Sequence, residues 1–427
     1  MDNLVYVCIG LIVFMFISGA PLAIAFAFGS SIIALFVMGM PLKSLAQLFF
    51  SSVNSYPLLA CPFFILAGNL TLRSGAMPPL KDAIQAMFGH LPGGLAVATI
   101  IFGAFLGAIS GSSSACLAII GTVLLPIFVE TGYDRAFGAG LAVTAAELGP
   151  LIPPSLFFII FGALNNVSIA ELFVAGIGPG LLTAVLMCLV AVWISKRRKY
   201  PTIPKSSWAV RWQTFKKIIP LLGMPVVILG GIYGGFFSPT QAASTACLYA
   251  VAMSVFVYHG ITWKGFVDSV IDTVKISSMI YMLIMGSDIM GRMLAYLEMP
   301  QLIAQVVTSM DLGPLAFLLV IDVLLLAMGF FFSSIPMIII VLPLFLPSVI
   351  SLGIDPVFYG LLAVMNALIG EITPPFGPQL WIAAPVCKVN MAAIWREAWP
   401  FLTAWVVTLI LTTFFPWIAM FPVYLLR

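Results

Sequence analysis

Two short stretches hold residues whose types and spacing suit chemistry in an apolar setting: GEITPPFG at 370–377 and GPLIPPS at 149–155. Adjacent prolines remove two backbone N–H donors and disfavour helix at the residue before them. Ile152 and Thr373 are therefore expected to expose carbonyl oxygens, and Gly149 and Gly370 to allow the bend. Unwound carbonyls joined by Ser and Thr hydroxyls make an all-oxygen ligand set, which suits a hard monovalent cation. The alternative is that the prolines only kink their helices. Upstream of each stretch lies a second polar interruption. One is centred on Gly107, Ser110, Gly111, Ser112, Ser113 and Ser114; the other contains Gly329, Ser333, Ser334 and Pro336. Half-helix N-termini at such tips direct N–H groups and positive dipole ends at a carboxylate.

Few ionisable side chains lie near these stretches. Glu147 precedes Gly149 by two residues and Glu371 follows Gly370. Charges in a membrane are costly and are often functional. Three roles stay open for these two: completing a cation site, carrying a proton, or pairing with a base such as Arg135 or Arg396. Asp288 and Arg292, four apart on a helical stretch, suit a mutual ion pair. Asp322, inside LLVIDVLLLA, has no partner close in sequence.

The elements that must position these residues follow from composition. Of 427 residues, 62% are hydrophobic and 8% charged, with mean hydropathy +1.17, whereas soluble domains carry roughly 25% charged residues. The chain reads as an all-α polytopic membrane protein, and apolar runs of about 20 residues recur often enough for roughly 11 to 14 membrane segments. The first run follows MDNLVY with no Lys or Arg before it; it lacks a signal-peptide n-region and is expected to stay as a helix. Six cysteines without C-x-x-C spacing and two histidines give little support to a zinc site, a disulfide framework or a catalytic cluster. The chain is expected not to be an enzyme, and small buried apolar residues are the simpler reading of the cysteines. The net charge is +3, and much of the basic charge is gathered in one connector: Lys196, Arg197, Arg198, Lys199, Lys205, Arg211, Lys216 and Lys217. The positive-inside rule makes that connector cytoplasmic and the start of the chain periplasmic; a loop between spans needs no nucleic acid to explain its charge.

The two stretches are twins at a constant offset, since 374 − 153 = 221 and 370 − 149 = 221. The same offset pairs Leu125-Pro126 with Leu346-Pro347, Asp134 with Asp355, Phe137 with Phe358 and Leu141-Ala142-Val143 with Leu362-Ala363-Val364. The loop after the first motif has no Lys or Arg, whereas its counterpart carries Lys388 and Arg396, as an inverted-topology repeat requires. The expected organisation is a first repeat over 1–195, a connector over 196–217 and a second repeat over 218–427. Each repeat holds a re-entrant hairpin (about 99–129 and 314–350) and a discontinuous helix (about 137–162 and 357–385). A single tilted helix with small residues at a helix interface is the alternative to each hairpin.

The ordered motifs PFFILAGNL (62–70), GHLPGGLAVATI (89–100), AISGSSSA (108–115), LGPLIPPS (148–155) and NALIGEITPPFG (366–377) resemble the large membrane subunit of tripartite ATP-independent periplasmic (TRAP) transporters over essentially the whole chain. The resemblance implies import of organic acids, often dicarboxylates or sialic acid, driven by Na+ through an elevator-type transport domain moving against a scaffold in the bacterial inner membrane. It also implies a small four-helix membrane subunit as a separate chain and a periplasmic substrate-binding protein. Carried onto matching positions, one sodium site takes Ser110, Ser112, Gly149, Ile152 and Pro154, and the other takes Gly329, Ser333, Gly370, Thr373 and Phe376. Ser112, Ser113, Ser114, Ser333, Ser334 and Glu371 are expected to face substrate. Many relatives carry an aspartate near the second tip, where this chain has Ser333 and Ser334, and positions 147 and 371 are usually apolar or small. The carboxylate is therefore either relocated or the ion stoichiometry or substrate differs. Proton coupling through Glu147 and Glu371 is the rival within transporters, and a channel is the rival outside them.

Overall fold

The computed structural model describes residues 10, 22–36, 39–296, 298–310, 312–330, 333–374 and 377–427, with no side-chain description for residues 22, 23, 26, 108–110, 304 and 306–308. Pro375 and Phe376, and the side chain of Ser110, thus lie outside the described residues. Every described regular element is helical. Among the described residues, seven helices are long and apolar enough to cross a membrane, or up to nine if each of two bent pairs counts as one span. Most of the start of the first apolar run, expected as a retained helix, lies outside the described residues, and within them several of the runs counted toward the expected 11 to 14 segments are divided into half-length pieces. Gly94–Gly107, Pro314–Gly329 and Pro356–Ile372 are apolar but short of a span.

The break in the first serine-rich run has a local cause. The helix Gly94–Ser110 ends on Gly111 in the left-handed region (φ +61°), a conformation that a residue with Cβ adopts only at a cost. Gly111 N donates to Gly107 O at 2.7 Å. Ser112 is then extended, its hydroxyl caps the amide of Ala115, and a helical arm runs over Ser113–Glu130. Cys116 Sγ lies 3.5 Å from Gly103 O, so the two arms run side by side. Within the returning arm the chain widens to π-helical turns over Ile120–Leu124, just before Pro126, and Leu125 N donates back to Ile120 O. The arm Ser334–Ser351 does the same over Met337–Val341, just before Pro343. A proline cannot donate to the preceding turn, and a wide turn is one way to absorb the missing bond.

The first broken helix, Arg135–Leu151 and Leu156–Asn165, bends by 41° at Ile152–Ser155. Asp134 caps its start and Ser155 caps the restart. Its counterpart runs over Pro356–Ile372, capped by Asp355, and resumes at Pro378–Cys387. Both broken helices are almost wholly buried and are enclosed by the hairpin arms and by the long helices Ile169–Arg197 and Met391–Phe414. A separate set, Ala60–Leu72, Trp208–Tyr233, Pro239–Ala252 and Trp263–Tyr296, packs mutually and meets the first hairpin from the side. The basic connector is anchored where Arg198 grips Glu397 with both guanidinium arms, at 2.8 and 3.1 Å.

Candidate functional site

The hairpin arms cross the broken helices at glycines. A Cβ at Gly107 would overlap the backbone of Gly149, and one at Gly149 would overlap Gly107. In the other half a Cβ at Gly329 would meet Gly370 Cα at 2.9 Å. Backbone therefore rests on backbone at both crossings, directly beside the chain breaks. Gly149, Gly329 and Gly370 were expected at cation sites, whereas Gly107 was singled out only as part of a tip. A glycine in an apolar, glycine-rich arm gives no sign of what it touches.

Past each crossing the helix stops. Ile152 (φ −86°, ψ 124°) and Thr373 (φ −95°, ψ 130°) are both extended, as the following Pro-Pro requires. Thr373 differs from expectation. Its carbonyl accepts the N–H of Gly377 at 3.1 Å, and its hydroxyl donates to Ile369 O at 2.7 Å. The chain folds back tightly enough to satisfy part of what the prolines leave open. One carbonyl lone pair and the hydroxyl oxygen remain as acceptors.

Each tip is clasped by a carboxylate. Ser113 Oγ donates to Glu147 Oε2 at 2.8 Å, deep in the protein, and Glu147 Oε1 has no hydrogen-bond partner. The backbone N–H of Ser334 donates to Glu371 Oε1 at 2.9 Å. Glu371 Oε2 accepts from Gln379 Nε2 at 3.4 Å, and the same nitrogen reaches Ser114 Oγ at 3.3 Å. Glu371 and Gln379 thereby link the two tips to one another. Glu147 thus serves the first tip and Glu371 the second. Neither takes a basic partner among the described residues: Arg135 reaches instead to Cys387 O at 3.4 Å. Gln379 was not singled out from sequence, although a lone amide six residues past Thr373, in an otherwise apolar run, was a usable signal.

Between the tips and the neighbouring helix set is a cavity of about 250 Å³. Ser112, Ser113, Ser114, Glu371 and Gln379 line one side; Asn69, Ile276 and Met279 line the other. Asn69 is held by a 3.1 Å bond to Thr273 Oγ1. Ser334 is buried behind Glu371, and Ser333 stands at the start of the arm rather than on the cavity wall. Asp322 does have partners, from far along the chain: Asn366 Nδ2 at 2.7 Å and Thr413 Oγ1 at 2.8 Å. Asp288 and Arg292 pair at 3.0 Å, as their spacing suggests. No group of three or more His, Cys, Asp or Glu is placed to hold a metal among the described residues.

The arrangement can hold a small polar molecule between two helical tips, next to backbone oxygens left by broken helices. Residues 8–418 match the family described as tripartite ATP-independent periplasmic transporter, DctM component. The C4-dicarboxylate TRAP transporter large permease protein DctM of Pseudomonas aeruginosa is 36% identical over 88% of this chain and 88% of its own length. The ectoine/5-hydroxyectoine TRAP transporter large permease protein UehC of Ruegeria pomeroyi is 35% identical, covering 89% of each chain. The isethionate TRAP transporter permease protein DctMQ of Oleidesulfovibrio alaskensis is 34% identical over 97% of this chain, which spans 66% of that longer protein. Among solved structures, the YdaH transporter of Alcanivorax borkumensis superposes with a TM-score of 0.64 over 88% of both chains at 16% identity, a likeness of fold.

Proposed function

The chain belongs to the DctM component family of tripartite ATP-independent periplasmic transporters, a family of transport permeases and not of enzymes, and we propose that it is a sodium-coupled importer of an organic acid. The observation that carries the reading is a glycine crossing, a helix break and a carboxylate-clasped tip in each half, with Ser112, Ser113, Ser114 and Glu371 on the wall of one cavity. Broken helices whose carbonyls and N-termini converge near the middle of a membrane protein are how many secondary transporters hold ion and substrate together.

In this reading the chain is two inverted repeats joined by the cytoplasmic connector over 196–217, with its start on the periplasmic side of the bacterial inner membrane. The hairpins are re-entrant. Together with the broken helices they form a unit that carries substrate past a scaffold built from Ala60–Leu72, Trp208–Tyr233 and Trp263–Tyr296. Sodium binds near the breaks at Ile152 and Thr373. A periplasmic binding protein delivers the acid, and a small membrane subunit supports the scaffold; one relative carries the fused name DctMQ. The named substrates of the relatives, C4-dicarboxylates, sialic acid, ectoine and isethionate, place the cargo among organic acids and zwitterions of varied size.

A second reading has support in the two clasping carboxylates: protons rather than sodium, carried by Glu147 and Glu371. Melting of the purified chain in sodium chloride and in choline chloride at matched ionic strength separates the two. Sodium coupling predicts a higher Tm in sodium, with the increment weakened in Thr373→Val. Equal melting in both salts together with a strong pH dependence would favour the proton reading.

A further inference from the structure

A second cleft, of about 260 Å³, lies away from the tips at the start of the span Trp208–Tyr233. Its walls are Met87 and Phe88, which end the helix Met77–Phe88, and Trp208, Trp212 and Phe215 from the first turns of the span. Arg211 stands among them. Trp208 is 77% exposed and Trp212 49%, and the rings of Trp212 and Phe215 stack with centroids 6.0 Å apart. Exposed tryptophans at the end of an apolar span belong at the boundary between hydrocarbon and water. The connector is fastened to the same place, because Ile203 N donates to Gly89 O at 2.9 Å.

The charge at this cleft is one-sided. No Asp or Glu occurs in the sequence between Glu171 and Asp268, and Asp82, on the helix that supplies Met87, does not line the cleft. Arg198 has its carboxylate in Glu397. Arg211 has none within ion-pair distance among the described residues; its side chain meets the ring of His90, at 3.0 Å. A guanidinium only donates, and its fork of N–H groups fits two oxygens of a phosphate. Lys216, over the Trp212 ring at 5.3 Å, and the exposed Lys205 and Lys217 add positive charge without ion pairs among the described residues. A phosphodiester placed here gains an ionic partner, whereas the cationic end of a choline or ethanolamine headgroup finds no carboxylate on the cleft wall.

We propose that this cleft is a binding site for an anionic phospholipid, whose phosphate meets Arg211 and whose acyl chain lies against Trp208, Trp212 and Phe215. The lipid bridges the helix Met77–Phe88 and the span Trp208–Tyr233, which supply the two walls. The site is separate from the cavity between the tips and stands whether the coupling ion is sodium or a proton.

The full-length chain in mild detergent is titrated with dioleoylphosphatidylglycerol and with dioleoylphosphatidylcholine, which share their acyl chains and differ in headgroup charge. Native mass spectrometry counts the lipids bound. One phosphatidylglycerol is expected to saturate before any further adduct forms, roughly tenfold tighter than phosphatidylcholine. Arg211→Met removes the charge and keeps an unbranched side chain; it is expected to bring phosphatidylglycerol down to the phosphatidylcholine level. Lys205→Gln combined with Lys216→Gln alters exposed residues only, so it is read even where Arg211→Met yields little folded protein, and is expected to weaken phosphatidylglycerol by roughly threefold. Trp212→Ala is expected to weaken both lipids alike, and Lys43→Gln, an exposed cation elsewhere, to change neither. The proposal is overturned if phosphatidylglycerol binds wild type no tighter than phosphatidylcholine, if its advantage survives both charge variants, or if Lys43→Gln lowers it as much as they do. It is overturned as well if adducts accumulate without a first saturable site, or if the complex with the small membrane subunit loses that site, which would give the cleft to a protein partner.

Discussion

The two halves build the same device and finish it differently. In the first, Glu147 is 0% exposed, takes a hydroxyl from Ser113 and keeps one oxygen unpartnered in the interior. In the second, Glu371 is 7% exposed, takes a backbone amide from Ser334 and a side-chain amide from Gln379, and reaches the cavity. The glycine crossings differ as well: Gly107 and Gly149 are in tighter contact than Gly329 and Gly370. Both halves reach the cavity, the first through Ser112, Ser113 and Ser114 and the second through Glu371 and Gln379, so they differ in where the carboxylate stands. One half thus keeps its carboxylate in the interior, while the other sets its carboxylate on the cavity wall.

That contrast can be broken most forcefully at the crossings. Gly149→Ala places a methyl inside the backbone of Gly107 and is expected to cost more than about 3 kcal/mol, leaving little folded protein. Gly329→Ala sets a methyl 2.9 Å from the Gly370 Cα, a milder backbone overlap than at the first crossing, and is expected to cost about 1–3 kcal/mol, with folded protein recovered at reduced Tm. Equal losses in the two variants would erase the distinction between a tight and a looser crossing.

The clasps allow a finer test. Glu147→Ala leaves Ser113 without its acceptor in a dry interior and is expected to lower stability by about 1–3 kcal/mol in thermal or chemical melts. Glu371→Ala opens onto the cavity, where water can replace the lost acceptor. Its stability cost is expected to stay below about 1 kcal/mol while substrate binding collapses. Smaller again is Asp322→Asn, in a cluster for which the first half, with Ile101 at the matching offset, has no counterpart. The new amide faces the donors of Asn366 and Thr413, and a loss of about 1 kcal/mol is expected, with Asn366→Asp in the same chain restoring part of it.

What could be read from sequence divides along a physical line. Chain breaks are local: Pro153-Pro154 and Pro374-Pro375 dictate an extended residue before them wherever the helix sits, and Gly111 marks the turn of the first hairpin within its own three residues. The Asp288–Arg292 pair is equally local. Partners across the fold leave no such mark. Gly107 meets Gly149 and Asp322 meets Thr413 because helices distant in sequence pack together, and neither residue type nor spacing records which helix arrives. The same reason explains why Arg135 was open as a partner for Glu147, which takes Ser113 instead. Thr373 shows a limit even within the local motif. The prolines free its carbonyl, and Gly377 folds back to occupy part of it.

The claim at the centre of this account is that the broken helices hold a cation whose gradient drives an organic acid inward. It is tested most directly by uptake into proteoliposomes containing the chain with its small subunit, supplied with the binding protein loaded with its own ligand. The sodium gradient is varied at fixed pH and fixed membrane potential. The account predicts accumulation that needs inward-directed sodium, disappears when the gradient is collapsed, and is weakened in Thr373→Val. Accumulation that is indifferent to sodium and follows an imposed pH gradient would contradict it.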